Sequence, residues 1–210
     1  HQCKYRFGLT GTLDGTQTHK LVLEGLFGTA EKIVSTKELI DKKTLANLKI
    51  KCITLKHPEK RERMTYAEEM DYLVSKVSRN NFILDLCNNI SGNTLCLFQL
   101  VEKHGKILYE GMKGSENVYF VYGGTDTDQR EKIRGLVEGH KNSTTIASYG
   151  TFSTGINIRN INNIVLASPS KSKIRVLQSI GRGLRTSSTK DSILIFDIAD
   201  DISYKERRNF

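Results

Sequence analysis

The sequence predicts an α/β domain: a parallel β-sheet with helices packed on its faces. Two observations carry that expectation. From Gly92 onward, short runs that are apolar throughout alternate with helical stretches, as strands covered on both faces do. The chain has 210 residues, 38% of them hydrophobic and 26% charged, the composition of an ordinary globular protein with room for one sizeable core.

The elements follow in order. Tyr5 to Leu9 has strand character and enters a Gly/Thr turn, Thr10-Gly11-Thr12. Thr18 to Phe27 has helical character, Lys32-Ile33-Val34 is a short strand candidate, and Lys37 to Asn47 is a second helix candidate. Lys49 to Leu55 alternates apolar and polar residues, the pattern of an edge strand. Glu59 to Ile90 is a long charged helical region with a possible break near Arg79-Asn80-Asn81. Five strand candidates come next: Thr94 to Phe98, Val118 to Tyr122, Thr144 to Ser148, Asn163 to Ala167 and Ile193 to Asp197. Helices are expected over Val101 to Gly111, from Thr127 with Asp126 and Gln129 as a capping pair, and over Lys171 to Leu184. In a parallel sheet, ligands gather where the strands end, so the turns after Phe98, Tyr122, Ser148, Ala167 and Asp197 are the places to look.

Charge narrows the partners. The formal net charge is +9 and the pI about 9.4, which favours nucleic acid, an acidic membrane surface or an acidic protein without choosing among them. No apolar run is long enough to span a bilayer, and no signal peptide is visible. Of the 4 cysteines, Cys52, Cys87 and Cys96 lie in apolar stretches and are expected to be buried; with Cys3 they form no C-x-x-C pair, so a zinc site or disulfide framework is not expected. The histidines have no metal-ligand spacing. His1 is not a methionine and Phe210 falls in a charged helical-looking stretch, so the natural protein is expected to extend both ways.

The strongest chemical signal is Gln178-Ser179-Ile180-Gly181-Arg182-Gly183-Leu184-Arg185. At about 100° per residue, Ile174, Leu177, Ile180 and Leu184 share one helix face, joined by Gly181, while Gln178, Arg182 and Arg185 fall together beside it. An amide and two planar, permanently charged guanidiniums suit an anion across an interface. A solvated basic face on an amphipathic helix has the same pattern. Weaker signals have plain readings. Asp197 and Asp200-Asp201 fit a helix cap better than a metal site, and Glu59 to Arg63 fits a solvated helix start. Lys171 and Lys173 either touch phosphate or face water.

The spacing Q-x-x-G-R-x-x-R resembles motif VI of the superfamily 2 helicases and translocases. The other motifs of that superfamily find counterparts in the right order. Gly8-Leu9-Thr10-Gly11-Thr12 resembles motif III, Thr94 to Gln99 stands at motif IV, Gly123-Gly124 with Arg130 resembles motif IVa, and Ser153-Thr154-Gly155-Ile156-Asn157, expected in a turn after a strand, resembles motif V. The resemblance covers essentially the whole chain and is strongest to the phage branched-DNA helicases. It implies a RecA-like second motor domain from about residue 47 to 210, preceded over residues 1–46 by the tail of a first RecA-like domain. It implies Arg182 and Arg185 as catalytic fingers, Gln178, Gly155 and Asn157 at ATP, Ser153, Thr154, Gly123, Gly124, Arg130 and Gln99 on nucleic acid, and Thr10, Gly11 and Thr12 in coupling. The implied cofactors are ATP and Mg²⁺, and the implied partner is DNA, forked or branched, with RNA open, in a cytoplasmic setting.

Two departures matter. The chain contains no G-x-x-x-x-G-K-[ST] loop and no D-E-x-H or D-E-x-D pair, the groups that hold the phosphates and Mg²⁺. This segment alone is therefore expected to be inactive, with ATP and Mg²⁺ bound mainly by a preceding part of the motor. Asn157 also stands where many relatives carry an acid. A non-catalytic nucleic-acid-binding α/β module remains the alternative.

Overall fold

The computed structural model describes residues 4–9, 17–155, 158–170, 176, 178–181, 184 and 192–204. Six strands form one sheet in the order β1-β6-β5-β2-β4-β3: β1 (Asn47–Arg61), β2 (Asn93–Phe98), β3 (Val118–Val121), β4 (Ser143–Ser148), β5 (Asn163–Leu166) and β6 (Ser192–Tyr204). Every neighbouring pair is parallel, as the apolar runs predict. The central strands β2, β4 and β5 are buried along their whole length.

Side chains alternate across the sheet with the period of two that strands impose. Leu95 and Leu97 join Ile164, Leu166, Ile193 and Ile195 in one core, closed by Ile133 and Val137 of α6 (Thr127–Gly139) and Phe152 of α7 (Tyr149–Gly155). Cys96 and Phe98 join Val165, Phe196 and Ile198 in the other, closed by Ile83 and Cys87 of α4 (Val77–Asn89) and Leu108 of α5 (Lys106–Gly111). The one-turn spacing of Ile133/Val137 and Ile83/Cys87 puts each pair on a single helix face.

Between β2 and α5 the chain makes a π-helical turn, Val101–Gly105. Its marks are the bonds Gly105 N–H to Leu100 O at 2.9 Å and Lys106 N–H to Val101 O. Gly105 is required here: a Cβ would lie 2.5 Å from the Phe98 ring.

Several expectations change. Residues 4–9 and 32–34 form no strand; Phe7, Leu9 and Ile33 are 86%, 94% and 88% exposed and find no sheet partner among the described residues. The first helix forms as α1 (Gln17–Phe27). The second, α2 (Thr36–Asp41), is shorter than expected. Ser35 and Glu38 close a capping box at its start, and Lys43, at φ 57°, turns the chain out of it toward β1. The region from Glu59 does not begin a helix. Glu59 to Arg61 extend β1, an edge strand where Pro58 costs no sheet bond, and the helical part splits at Lys76 into α3 (Tyr66–Ser75) and α4. Thr65 and Glu68 form the capping box that starts α3. Asp126 caps α6 through the Asp128 amide and not through a pairing with Gln129. Cys52 is exposed on β1, whereas Cys87 and Cys96 are buried.

The largest revision concerns the last strand. It does not end at Asp197 but runs beside the long β1 to Tyr204, so Asp200 and Asp201 are strand residues and cap no helix. Asp200 is drawn inward. Its carboxylate accepts two parallel bonds from Arg79, Nε to Oδ1 and Nη2 to Oδ2, both 2.9 Å, and a third from His57 Nε2 at 2.9 Å. The three side chains are between 1% and 3% exposed. This knot joins both edge-side strands to α4. Removing one partner of such a buried pair strands the other, so Arg79→Ala is expected to lower the unfolding free energy by about 3–5 kcal/mol. Urea denaturation at neutral pH measures it.

A candidate functional site at the carboxyl edge of the sheet

The strand order creates a crevice. From β2 the chain leaves toward β3, and from β5 it leaves toward β6, in opposite directions from adjacent strands. Ligands of open parallel sheets settle at such a switch point. Strand register puts the loop residues level with one another: Phe98 lies beside Ser148, Leu97 beside Ala147 and Leu166, and Val121 beside Ala147. Gln99, Gly123, Tyr149 and Ala167 therefore follow their strands along one edge.

Gln99, half-buried, donates its backbone N–H to Ser168 Oγ at 3.1 Å. Gly123 and Gly124 lie exposed in the turn after β3, which Thr125 closes: its Oγ1 accepts from the Tyr122 amide at 3.0 Å, and its own N–H donates to Tyr122 O. At Gly124 a Cβ would meet the Tyr122 ring at 2.6 Å, so a side chain there would displace that ring. Arg130 reaches back from α6 and donates Nη2 to Gly123 O at 2.9 Å, so the expected Gly123–Gly124–Arg130 group is brought together. Its Nε is buried without a hydrogen-bond partner among the described residues.

Ser153, Thr154 and Gly155 are helical, in α7, and do not sit in a turn. The reason is local. Ser148, the last residue of β4, accepts from the Thr151 amide at 3.3 Å and pairs with the Thr151 hydroxyl at 2.8 Å, so the helix starts directly where the strand stops.

In the segment with the strongest signal, residues 178–181 are helical and Gln178 is exposed. Leu184 joins the core and Ile180 packs against it, as expected of that face, and Val176, outside the set expected there, packs against it too. Gly181 does not join it. It is exposed, with nothing within 4 Å of a notional Cβ, and Ser179 is buried in its place. Gly181 lies about 100° round the helix from Ile180, on the side away from Ser179, which puts it outside the buried arc. Thr10, Gly11, Thr12, Asn157, Lys171, Lys173, Ile174, Leu177, Arg182 and Arg185 lie outside the described residues.

Three residues at this edge carry no motif signal: His104, Tyr149 and Ser168. His104 sits in the π turn, fully buried, with Nδ1 2.7 Å from Ser168 Oγ and Nε2 3.2 Å from Asn80 Oδ1. Tyr149 donates its hydroxyl to Ser168 O at 2.9 Å. The turn after Ala167 is flagged by strand order, but nothing in the spacing of His104 links it to a serine 64 residues away. Burial, then the nearby Arg79 guanidinium, push the His104 pKa down from 6.5 to about 3, against a weaker upward pull from Asp200.

That shift has a pH consequence. Between pH 6.5 and about 3 the unfolded chain binds a proton at His104 that the folded chain refuses. Its contribution to stability is complete above pH 6.5 and is lost as the pH falls toward 3. In His104→Gln, the fall in denaturation midpoint between pH 7 and pH 4.5 is expected to be shallower than in the parent chain. Equal slopes would remove His104 from the acid response.

Comparison with known proteins supplies the family. The model of the helicase conserved C-terminal domain matches residues 75–187. The ATP-dependent DNA helicase UvsW of Enterobacteria phage T4 is 34% identical over 99% of this chain and 43% of its own length. Its crystal structure superimposes with a TM-score of 0.64 at 33% identity, covering 88% of this chain and 37% of that one. The putative ATP-dependent helicase IRC3 of Saccharomyces cerevisiae is 33% identical over 48% of this chain and 15% of its own length. A fragment of a putative HsdR subunit of a type I restriction enzyme from Vibrio vulnificus shares the fold, with a TM-score of 0.69 at 16% identity over 87% of this chain and 38% of that one. The chain thus spans less than half the length of the relatives it matches.

Proposed function

The chain belongs to the helicase conserved C-terminal domain family, and on that premise we propose that it is the second motor half of an ATP-dependent DNA helicase or translocase that remodels forks and junctions in recombination and repair. The observation that carries this reading is the extent of the family match. Residues 75–187 take in the loops after β2, β3, β4 and β5 and the whole of Gln178–Arg185. DNA as the partner follows from the T4 relative, whose name specifies a DNA helicase, and from the net charge of +9. The setting is the cytoplasm, of a host cell if the source is viral.

Domain division is part of the proposal. Residues 1–46 are the end of a first RecA-like domain, and residues 47–210 form the second. Supporting this, β1 starts at Asn47 as the sheet edge, while the preceding segment exposes Tyr5, Phe7, Leu9, Leu21 and Val22. Thr10, Gly11 and Thr12 couple the two domains.

The roles follow from chemistry. ATP with Mg²⁺ supplies a transferable γ-phosphoryl group, held mainly by the first domain. The donors this chain offers suit an anion: an exposed Gln178 amide, and guanidiniums at Arg182 and Arg185. The two arginines place fixed positive charge where negative charge develops during transfer. Gly155 and Asn157 border the nucleotide. Gln99, Gly123, Gly124 and Arg130, with Ser153 and Thr154, grip the nucleic-acid backbone through amides, hydroxyls and one guanidinium. Domain closure and reopening alternate that grip and move the strand.

The test uses the full-length protein. Arg185→Ala is expected to lower nucleic-acid-stimulated ATP hydrolysis on the order of a thousandfold or more, while DNA affinity stays within a few-fold. Near-normal turnover in that variant would sink the assignment.

A further inference from the structure

We propose that Ser168 is a positioning hub: held by His104 and Tyr149, it locks three loops of the carboxyl edge into one geometry.

Every polar group of Ser168 is committed across the sheet. Its N–H donates to Leu97 O on β2, and its Oγ accepts from the Gln99 amide just beyond β2. Its hydroxyl proton goes to His104 in the π turn, and its carbonyl accepts from Tyr149 at the start of α7. The loops after β2, β4 and β5 therefore meet at one residue.

Directions in the network are set by chemistry. Asn80 Nδ2 donates to Val74 O at 2.8 Å, which turns Asn80 Oδ1 toward His104 Nε2. An amide oxygen only accepts, so Nε2 carries the imidazole hydrogen and Nδ1 is left to accept from Ser168. The depressed basicity of His104 keeps the ring neutral at neutral pH, as that tautomer requires.

The backbone is built for the contact. The π turn inserts an extra residue per turn and swings His104 inward, and Gly105 lets that turn press on Phe98. Ser168, His104 and Tyr149 are 2%, 0% and 2% exposed, so water does not compete for the bonds.

The consequence for catalysis rests on the motor function proposed above; the lock itself does not. In that motor, the loop after β2 carries Gln99, α7 carries Ser153 to Gly155, and the loop after β5 leads to Gln178–Arg185. Ser168 would set nucleic-acid grip and arginine finger at a fixed offset. These are positioning residues: none of the three is assigned a contact with substrate.

The test uses Tyr149→Phe, which keeps the ring and removes one donor, and Ser168→Ala, with Ser168→Thr restoring the hydroxyl, all in the full-length protein. Hydrogen exchange is followed in peptides covering 97–101, 148–155 and 164–170, with 83–89 as control. Each of the two deletions is expected to speed exchange about tenfold in all three loop peptides and leave the control unchanged. Acceleration confined to the peptide holding the substitution, or none, would overturn the hub. ATP turnover gives the second arm: kcat is expected to fall about ten- to a hundredfold with KM for nucleotide nearly constant, and Ser168→Thr to recover most of it. Unchanged kcat in a variant with coupled exchange would overturn the positioning role. A parent protein without nucleic-acid-stimulated turnover would refute the motor function and the catalytic role together, while exchange still decides the lock.

Discussion

The parallel run of all six strands is the constraint from which the site follows. Parallel strands send every carboxyl end to the same edge, so residues far apart in sequence, from Gln99 to Ser168, come level with one another. Placing β2 in the middle, with the chain leaving β2 and β5 in opposite directions, opens the crevice there. The same constraint buries β2, β4 and β5 along their whole length, because both faces are covered.

Most polar groups in this core find partners; among the described residues Arg79 Nη1 and Thr145 Oγ1 are buried without one. Asp200 is tolerated between Arg79 and His57 because three hydrogen bonds replace the water it loses. Next to Arg79 in sequence, Asn80 carries the network on to His104, and His104 carries it to Ser168. One polar thread thus runs from the outer strands β1 and β6 through α4 to the crevice. Its chemistry is consistent end to end: carboxylate against guanidinium and imidazole at one end, neutral imidazole against hydroxyl at the other.

Elements with a strong local period were legible in the sequence. The five strand candidates became strands within a few residues, except that the last extends seven residues beyond Asp197, to Tyr204, because its length is set by pairing with β1. The acids Asp200 and Asp201 disguised that extension, since a carboxylate in a strand is legible only once its partner is known, and Arg79 lies 121 residues earlier. Residues 4–9 and 32–34 have strand-like composition, yet composition does not supply a neighbouring strand. The site was legible in proportion to its locality. Gly123, Gly124 and Arg130 fall within eight residues and came together. The helix start at Ser148 was missed because a serine cap looks like the turn expected there. His104, Tyr149 and Ser168 act only across the sheet, and no spacing rule connects them.

On the proposed function, this chain is one half of a nucleic-acid-driven ATPase, with its loops on the strand and its arginines at the phosphate. The most direct test is ATP turnover by the full-length protein with forked, duplex and single-stranded DNA and with RNA, at one salt concentration. Strong stimulation by DNA is expected, greatest with the forked substrate. Turnover that no nucleic acid changes would contradict that function.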